Sequence, residues 1–437
     1  MPGDREEDDV PPSILCLYWR GDETPLEFEV VHRLSAAGYR SSDRDFEVGR
    51  EVVWAIAFEH EDHDAPFLIW VEERPDQDDP LLYSRARWAT EEEMRGARDA
   101  RWLVYVETLL DREAALPGYQ RQLQLAAALG DDLVVACLDV CSFTLRSFLS
   151  LRELATSPAA PRPDSLYTIH FVVGEGDAAW LHTHGLARAG CPDLDVLGVP
   201  REDAGVAGEV IQAVAAQLLE VPPDGPIATH QFGQGLAVAL HPWREVAEDF
   251  PPDILGGEDD RDDAYHGGAR WILGESDGVA EGRLVPLGPT LDRMADNPIL
   301  YVTLAATRRM EVLSRERWPQ AAMAYYSGAS ADRRLLVKLG YPVDGSDRDR
   351  EREHLWFEVQ RIGKGTVEAR LLNQPYRIAR LAVDDVGVHD LALLTDFALH
   401  TSRGVYTPET IGEYGNVEVW TDPAEGACRV EGPVSEA

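Results

Sequence analysis

The chain has 437 residues, 44% of them hydrophobic and 27% charged, the balance of a packed protein and not of a disordered or fibrous one. This length exceeds what one hydrophobic core organises and predicts two or three domains. A formal charge of −37, from 41 basic and 78 acidic side chains, speaks against nucleic acid and against an anionic membrane as partners, because phosphate contacts need clustered cations; a protein partner with a basic or neutral surface is favoured.

The cations are almost all Arg, with Lys only at Lys338 and Lys364, which reads as coding bias more than as phosphate recognition. Cys16, Cys137, Cys141, Cys191 and Cys428 form no CxxC pair and suit a reducing compartment. The acidic start from Met1 to Asp9 leads into no signal-type apolar region, and no apolar run approaches the roughly 20 residues of a membrane span. The expectation is a soluble cytoplasmic protein.

Residues 13–19 read as a first strand. Thr24-Pro25-Leu26-Glu27 resembles a capping box, and Leu26, Val30 and Leu34 then share a helix face that Gly38 ends. Extended runs at 51–59 and 65–72, joined by a turn around Asp62 and Asp64, complete a β-α-β-β unit. A strand at 102–107, a helix at 120–129 stopped by Gly130, and an apolar strand at 133–141 follow. The order predicts an α+β fold of mainly antiparallel or mixed sheets covered by helices, with ferredoxin-like topology compatible. The three prolines Pro158, Pro161 and Pro163 mark a linker, which divides the chain into an N-terminal α+β domain (1–157), a middle α+β domain (158–330) and a small C-terminal α+β domain (331–437).

The middle part opens with a strand at 167–173 and turns at Gly174-Glu175-Gly176-Asp177. It then enters the run Trp180-Leu181-His182-Thr183-His184-Gly185-Leu186-Ala187-Arg188. Val206, Val210, Ile211, Val214 and Leu218 repeat at helical spacing up to Pro222-Pro223-Asp224-Gly225; 236–240 reads as a short strand and the acidic 258–263 as a solvated loop. In the last part, 355–360 and 366–371 alternate as a hairpin around Gly363-Lys364-Gly365. Asn373-Gln374-Pro375 breaks the second strand, 376–381 reads as a third, 391–400 as a helix, and the tail from Asp422 as loose.

His182 and His184 stand at i, i+2, which on a strand points both imidazoles to one face where they can share a metal. Cys191, His170, His230 and His241 are the candidates for a third ligand, and spacing selects none. The ordinary reading is structural, one His bonded to backbone and the other capping the turn at Gly185; on that reading no cofactor is required. Trp180 and Arg188 would line the same pocket. No G-x-S-x-G elbow or Walker loop is present, Gly233-Gln234-Gly235 lacks a third glycine, and Cys137 and Cys141 sit in apolar sequence as inert core thiols. In the last part, Trp356, Glu358 and Asn373 are candidate binding residues on a strand edge that an ordinary amphipathic strand also explains, and Lys338 reads as a snorkelling or edge lysine.

At Trp180 to Leu186, continuing through Gly190-Cys191-Pro192-Asp193-Leu194-Asp195, the chain resembles bacterial proteins assembled from domains of unknown function that carry a His-Thr-His-Gly-Leu block. Lys338, Glu353-His354-Leu355-Trp356-Phe357-Glu358-Val359 and Leu372-Asn373-Gln374-Pro375 are similar to a small α+β domain found alone or at the end of longer bacterial proteins. That resemblance implies an accessory or toxin-immunity role. The chain departs from the small domain's ending, with Asp384-Asp385-Val386-Gly387 and Asp390-Leu391 where a Gly-Asp pair and an Asp-Trp are expected. Charge, missing catalytic set and resemblance together favour an interaction protein that binds its partner through its acidic surface and the edge of the C-terminal sheet. The competing expectation is a metal-dependent or small-molecule enzyme built on His182, His184 and Arg188.

Overall fold

A computed structural model describes residues 10–42, 49, 51–75, 85–86, 89–130, 133–174, 176–251, 253–261, 266, 270–276, 284–295, 300, 303–327, 333–345, 352–402, 404–415, 419–421 and 428–430. The chain forms two compact units, Met1–Thr303 and Leu304–Ala437.

Among the described residues, unit 1 holds two sheets. The first contains β1 (Ser13–Trp19), β2 (Arg40–Ser42), β3 (Val52–His60), β4 (His63–Glu73), β5 (Arg85–Ala86), β6 (Trp102–Thr108), β7 (Val134–Asp139) and β8 (Thr144–Ser147) in the order β2-β3-β4-β6-β1-β7-β8-β5. It is antiparallel except for the β5–β8 pair. Helices α1 (Glu27–Ala36), α2 (Glu91–Asp99), α3 (Ala115–Leu129) and α4 (Phe148–Thr156) accompany it. β1 sits between β6 and β7, which take both its hydrogen-bonding edges, and its two faces pack into separate cores, Leu15, Leu17 and Trp19 in one and Cys16 and Tyr18 in the other, so nearly every residue is buried. A ferredoxin-like β-α-β-β-α-β unit would set β1 between β6 and β4; β6 instead separates β1 from β4, and that expectation is set aside.

The second sheet of unit 1 orders its strands as β12-β13-β14-β11-β10-β9, with β9 (Thr168–Val173), β10 (Ala178–His184), β11 (Asp193–Pro200), β12 (Ile227–Gly233), β13 (Leu236–Pro242) and β14 (Arg270–Glu275). It is mixed, since β11 and β14 are parallel. α5 (Ala204–Glu220) buries Ala207, Val210, Ile211, Val214 and Leu218 in a core shared with β9 to β11, as its helical period predicts. The opposite face carries Trp180, Leu197, Ala239, Ile272 and Leu284, packed with Val246 of α6 (Trp243–Val246); α7 (Gly288–Ala295) follows. The proline-rich stretch at 158–164 lies within unit 1, tied in by buried Ala159 and Leu166.

Unit 2 begins with α8 (Leu304–Tyr326), which holds Pro319 in its interior and had no sequence signal strong enough to mark it. A six-stranded antiparallel sheet follows, with β15 (Arg334–Pro342), β16 (Arg352–Ile362), β17 (Thr366–Leu371), β18 (Val386–Asp390), β19 (Leu394–Thr401) and β20 (Gly404–Tyr406) ordered β18-β17-β16-β15-β19-β20. Its core of Leu335, Val337, Leu355, Phe357, Phe397 and Leu399 packs against Ala321 and Ala324 of α8. Of the tail from Asp422, residues 428–430 form β22 (Cys428–Val430), paired with β21 (Val419–Thr421); the rest lies outside the described residues.

Several local expectations are corrected. The Thr24–Glu27 box does not form: α1 starts after Leu26, which is 48% exposed and receives no side-chain cap. A reciprocal box forms instead at α2, between Thr90 and Glu93. The helix expected at 391–400 is β19, because Leu335 and Val337 of β15 pair with Leu399 and Phe397 and reward period-2 burial over the helical alternative. The strand expected at 376–381 is a loop whose N–H groups go to carboxylates, Tyr376 and Arg377 donating to Glu353 and Ala379 to Asp344. In the acidic run at 258–263, Glu258–Asp260 is a short 3-10 turn in which the Asp260 carboxylate accepts from Gly256 N–H; residues 262 and 263 lie outside the described residues.

Candidate metal centre

β9 and β10 form a hairpin, and its register sets His182 directly opposite His170, while on the other side His182 faces Asp195 of β11. Strand alternation keeps Trp180, His182 and His184 on one face of β10, the face away from α5. The nitrogens of His170, His182 and His184 offer ligand atoms that lie within 4.8 Å of one another. Their rings are 5.4 Å (170 to 182), 4.7 Å (170 to 184) and 4.8 Å (182 to 184) apart, centre to centre. His266 comes to 5.0 Å from the His182 ring and 5.2 Å from that of His184. Cys191 turns away, its thiol on the Leu218 carbonyl, and His230 pairs with Gln217.

The histidines sit in a mostly closed setting. His182 is 1% exposed, yet among the described residues neither of its ring nitrogens has a hydrogen-bond partner, an arrangement that costs about 1–3 kcal/mol for each unmet polar group in a protein interior. Trp180 lies over it at 4.0 Å. Burial, with His184 and Arg270 adding to it, holds the His182 imidazole far below its usual range; burial and then Arg270 bring His184 down to about 2. Both rings are therefore neutral at physiological pH, each with one ring lone pair, which in His184 accepts from Arg270.

The surrounding polar groups orient this set. Asp195 accepts from Trp180 Nε1 at 2.8 Å, from Arg261 at 3.1 Å and from Arg270 at 3.3 Å. Arg270 also donates to the Thr183 carbonyl at 3.2 Å and, from Nη2, to His184 Nδ1 at 3.4 Å. Asp193 fixes the turn after His184, accepting from Thr183 Oγ1 at 2.7 Å, Leu186 N–H at 3.1 Å and Gly185 N–H at 3.4 Å. Gly185 has φ of +112°, and a Cβ there would come under 3.0 Å from the Leu166 carbonyl oxygen, so glycine is required twice over. Phe143, with φ of +51°, presents its ring edge-to-face to His184 at 5.2 Å. A non-glycine residue held in that conformation stores strain, of a kind that clusters at functional sites.

The other residues singled out in the sequence fall elsewhere. Arg188 is buried in an ion pair with Asp139 and donates to the Leu166 carbonyl. In unit 2, Asn373 accepts from the Trp356 backbone N–H, Glu358 pairs with Arg334 and Arg370, and Trp356 lies under the Lys338 ammonium at 5.5 Å. Arg270 and His266 escaped the sequence reading, being distant in the chain and without a motif, and Asp195 entered it only within the block that carries the resemblance, with no role given.

No helix among the described residues is long and apolar enough to cross a membrane. No curated protein and no solved structure matches the chain. Residues 169–273, which carry all three converging histidines together with Trp180, Asp195, His266 and Arg270, match the family model described as Protein of unknown function (DUF4026) C-terminal.

Proposed function

We propose that this protein binds a divalent transition-metal ion through His170, His182 and His184. The observation that carries the reading is the convergence of three imidazole donors within 4.8 Å, one of them buried with neither nitrogen bonded among the described residues. An ion would use the lone pair that nothing else takes up. Neutral imidazoles suit zinc, copper, iron or nickel and not magnesium or calcium, which prefer oxygen. Three protein ligands is the number of catalytic sites and four that of structural ones; on the three that converge within 4.8 Å we read the site as that of a metal-dependent enzyme.

The test is metal analysis of the purified protein before and after incubation with zinc and desalting, beside His170→Ala, His182→Ala and His184→Ala. About one equivalent in the parent and a loss in each variant is expected for a mononuclear site. Substoichiometric zinc in the parent after incubation overturns the reading.

A second reading is a cytoplasmic accessory factor, of the toxin-immunity kind, that binds a basic or neutral protein. It is supported by the charge of −37 and by β18, which ends the sheet order of unit 2 with Val386 and Val388 50% and 68% exposed; an edge strand can receive a partner strand. Pull-downs at low and high salt separate the two readings. A partner retained at low salt and released at high salt supports it, and none at low salt removes it.

A further inference from the structure

We infer that His266 is a fourth ligand of this metal, so that four imidazoles hold the ion. This rests on the metal reading above and adds one ring to the three whose nitrogens lie within 4.8 Å of one another.

With Zn–N near 2.0–2.1 Å, an imidazole ring centre lies about 3.2 Å from its ion, and two such rings at the tetrahedral angle stand about 5.2 Å apart. Five of the six pairings among His170, His182, His184 and His266 fall between 4.7 and 5.4 Å, centre to centre. Ring centres are the quantity to compare. A turn about χ2 swaps nitrogen for carbon at the rim of the ring while leaving its centre nearly in place, and that torsion is broad. The His266 ring stands at 85° to that of His182 and 52° to that of His184, so it joins the set by turning where it is.

Its seat is also defined. His170, His182 and His184 are set by the register of the β9–β10 hairpin, whereas His266 comes from outside the strands, between the Glu258–Asp260 turn and β14. It lies 5.1 Å from the Trp180 ring, the same indole that covers His182 at 4.0 Å and is anchored through Nε1 to Asp195 at 2.8 Å. His266 therefore packs on all three inward rings of β10, while the Cys191 thiol and His230 are directed elsewhere. A ligating imidazole uses one nitrogen and commonly donates the other N–H to an outer group, so the role asks for one nitrogen of His266 alone. Four protein ligands is the number of structural sites. On the enzyme reading a substrate must then replace one of them, and His266 is the one whose departure leaves the hairpin set intact.

The test uses the full chain loaded with Co(II), whose visible bands report its coordination sphere and whose ligating rings give strongly shifted proton resonances. Four shifted imidazoles are expected in the parent. His266→Ala should weaken cobalt binding by at least the roughly tenfold that loss of an outer partner costs, change the visible bands as water enters, and regain the parental bands when free imidazole is added. His230→Ala, outside the set, should match the parent throughout. Three shifted imidazoles in the parent overturn the inference and leave the metal reading standing, as do parental affinity and bands in His266→Ala. If no stoichiometric cobalt site forms in the parent, both are overturned together. The count of rings in the parent decides the question even if the variant fails to fold.

Discussion

Arg188 and Asp139 meet as a bidentate ion pair, Nη1 to Oδ1 at 2.9 Å and Nη2 to Oδ2 at 2.7 Å, with both side chains 1% exposed. Asp139 ends β7 of the first sheet, and Arg188 follows β10 of the second. Further contacts support the pair, although the buried Arg188 Nε has no partner among the described residues: Asp139 also accepts from Tyr119 OH at 2.6 Å and Ser142 N–H at 3.1 Å, and Arg188 donates to Ser13 Oγ at 3.0 Å and lies over the Tyr119 ring at 4.7 Å. Breaking a buried pair strands a charge, so Asp139→Asn should destabilise unit 1 by on the order of 3–5 kcal/mol, while Asp139→Leu combined with Arg188→Met should recover most of that loss. Urea unfolding of the single and double variants measures it. Equal losses in both would assign the cost to packing and not to the charge.

The same aspartate reaches the candidate metal centre through the turn it caps. Ser142 N–H on Asp139 fixes the bend that brings Phe143 against His184, and Gly185 fits between Ser142 and the Leu166 carbonyl. Gly185→Ala has no conformation without both a clash and a disfavoured φ, and we expect a loss of about 2–4 kcal/mol together with weakened metal binding. Gly205→Ala is the control, since it lies near the start of α5 with nothing within 4 Å of its would-be Cβ; it should be neutral or stabilising by up to about 1 kcal/mol. Chemical denaturation and zinc titration of both variants make the comparison. If Gly185→Ala matches the control in both, the turn is not what holds His184.

How much of this was legible in the letters differs from residue to residue. The α+β class follows from period-3.6 burial in α5 and period-2 burial in the β16–β17 hairpin, which the chain writes openly, whereas β1, buried along nearly its whole length, shows as an apolar run. The third histidine was also within reach: a hairpin centred on Gly176 places His170 and His182 at equal distances on either side, and they do pair. Choosing it required committing to the register, which strand patterns alone leave loose. Arg270 could not have been found. It arrives through the parallel β11–β14 pairing, a long-range contact with no local trace. Arg188 looked like part of the histidine site because it is close in the chain, but the short 3-10 turn at Ala187–Ala189 carries it to Asp139 instead.

Acid should unfold the protein through the histidine face. Folded His184 is held down to about 2 and His182 lower still, both chiefly by burial, whereas in the unfolded chain each titrates near 6.5. A group whose folded value is depressed contributes stability that is complete above the unfolded value and is lost as pH falls below it. At pH 5 the loss is about 2 kcal/mol for each ring. Denaturant midpoints taken between pH 8 and pH 5 should therefore decline below about pH 6.5, with a shallower slope in His182→Gln/His184→Gln. A double variant with the parental slope would place the acid sensitivity elsewhere.

Asp396 carries the opposite sign. It pairs with Lys338 across β19 and β15, and burial pushes its carboxyl up to about 6, with the Phe397 N–H and the Lys338 charge pulling the other way and Glu409 adding to the rise. A raised carboxyl contributes stability that is complete below its unfolded value, near 3.9, and is lost as pH rises through about 6. At neutral pH unit 2 thus holds a poorly solvated carboxylate. Asp396→Asn keeps an acceptor for the Phe397 N–H, at 2.8 Å in the parent, and removes the charge. It should stabilise unit 2 at pH 7.5 by on the order of 1–2 kcal/mol after allowance for partial solvent screening, and bring no gain at pH 4, where the parent carboxyl is already protonated. Thermal unfolding at the two pH values reads this directly. A gain that persists undiminished at pH 4 would mean that the substitution relieves something other than the carboxylate's charge.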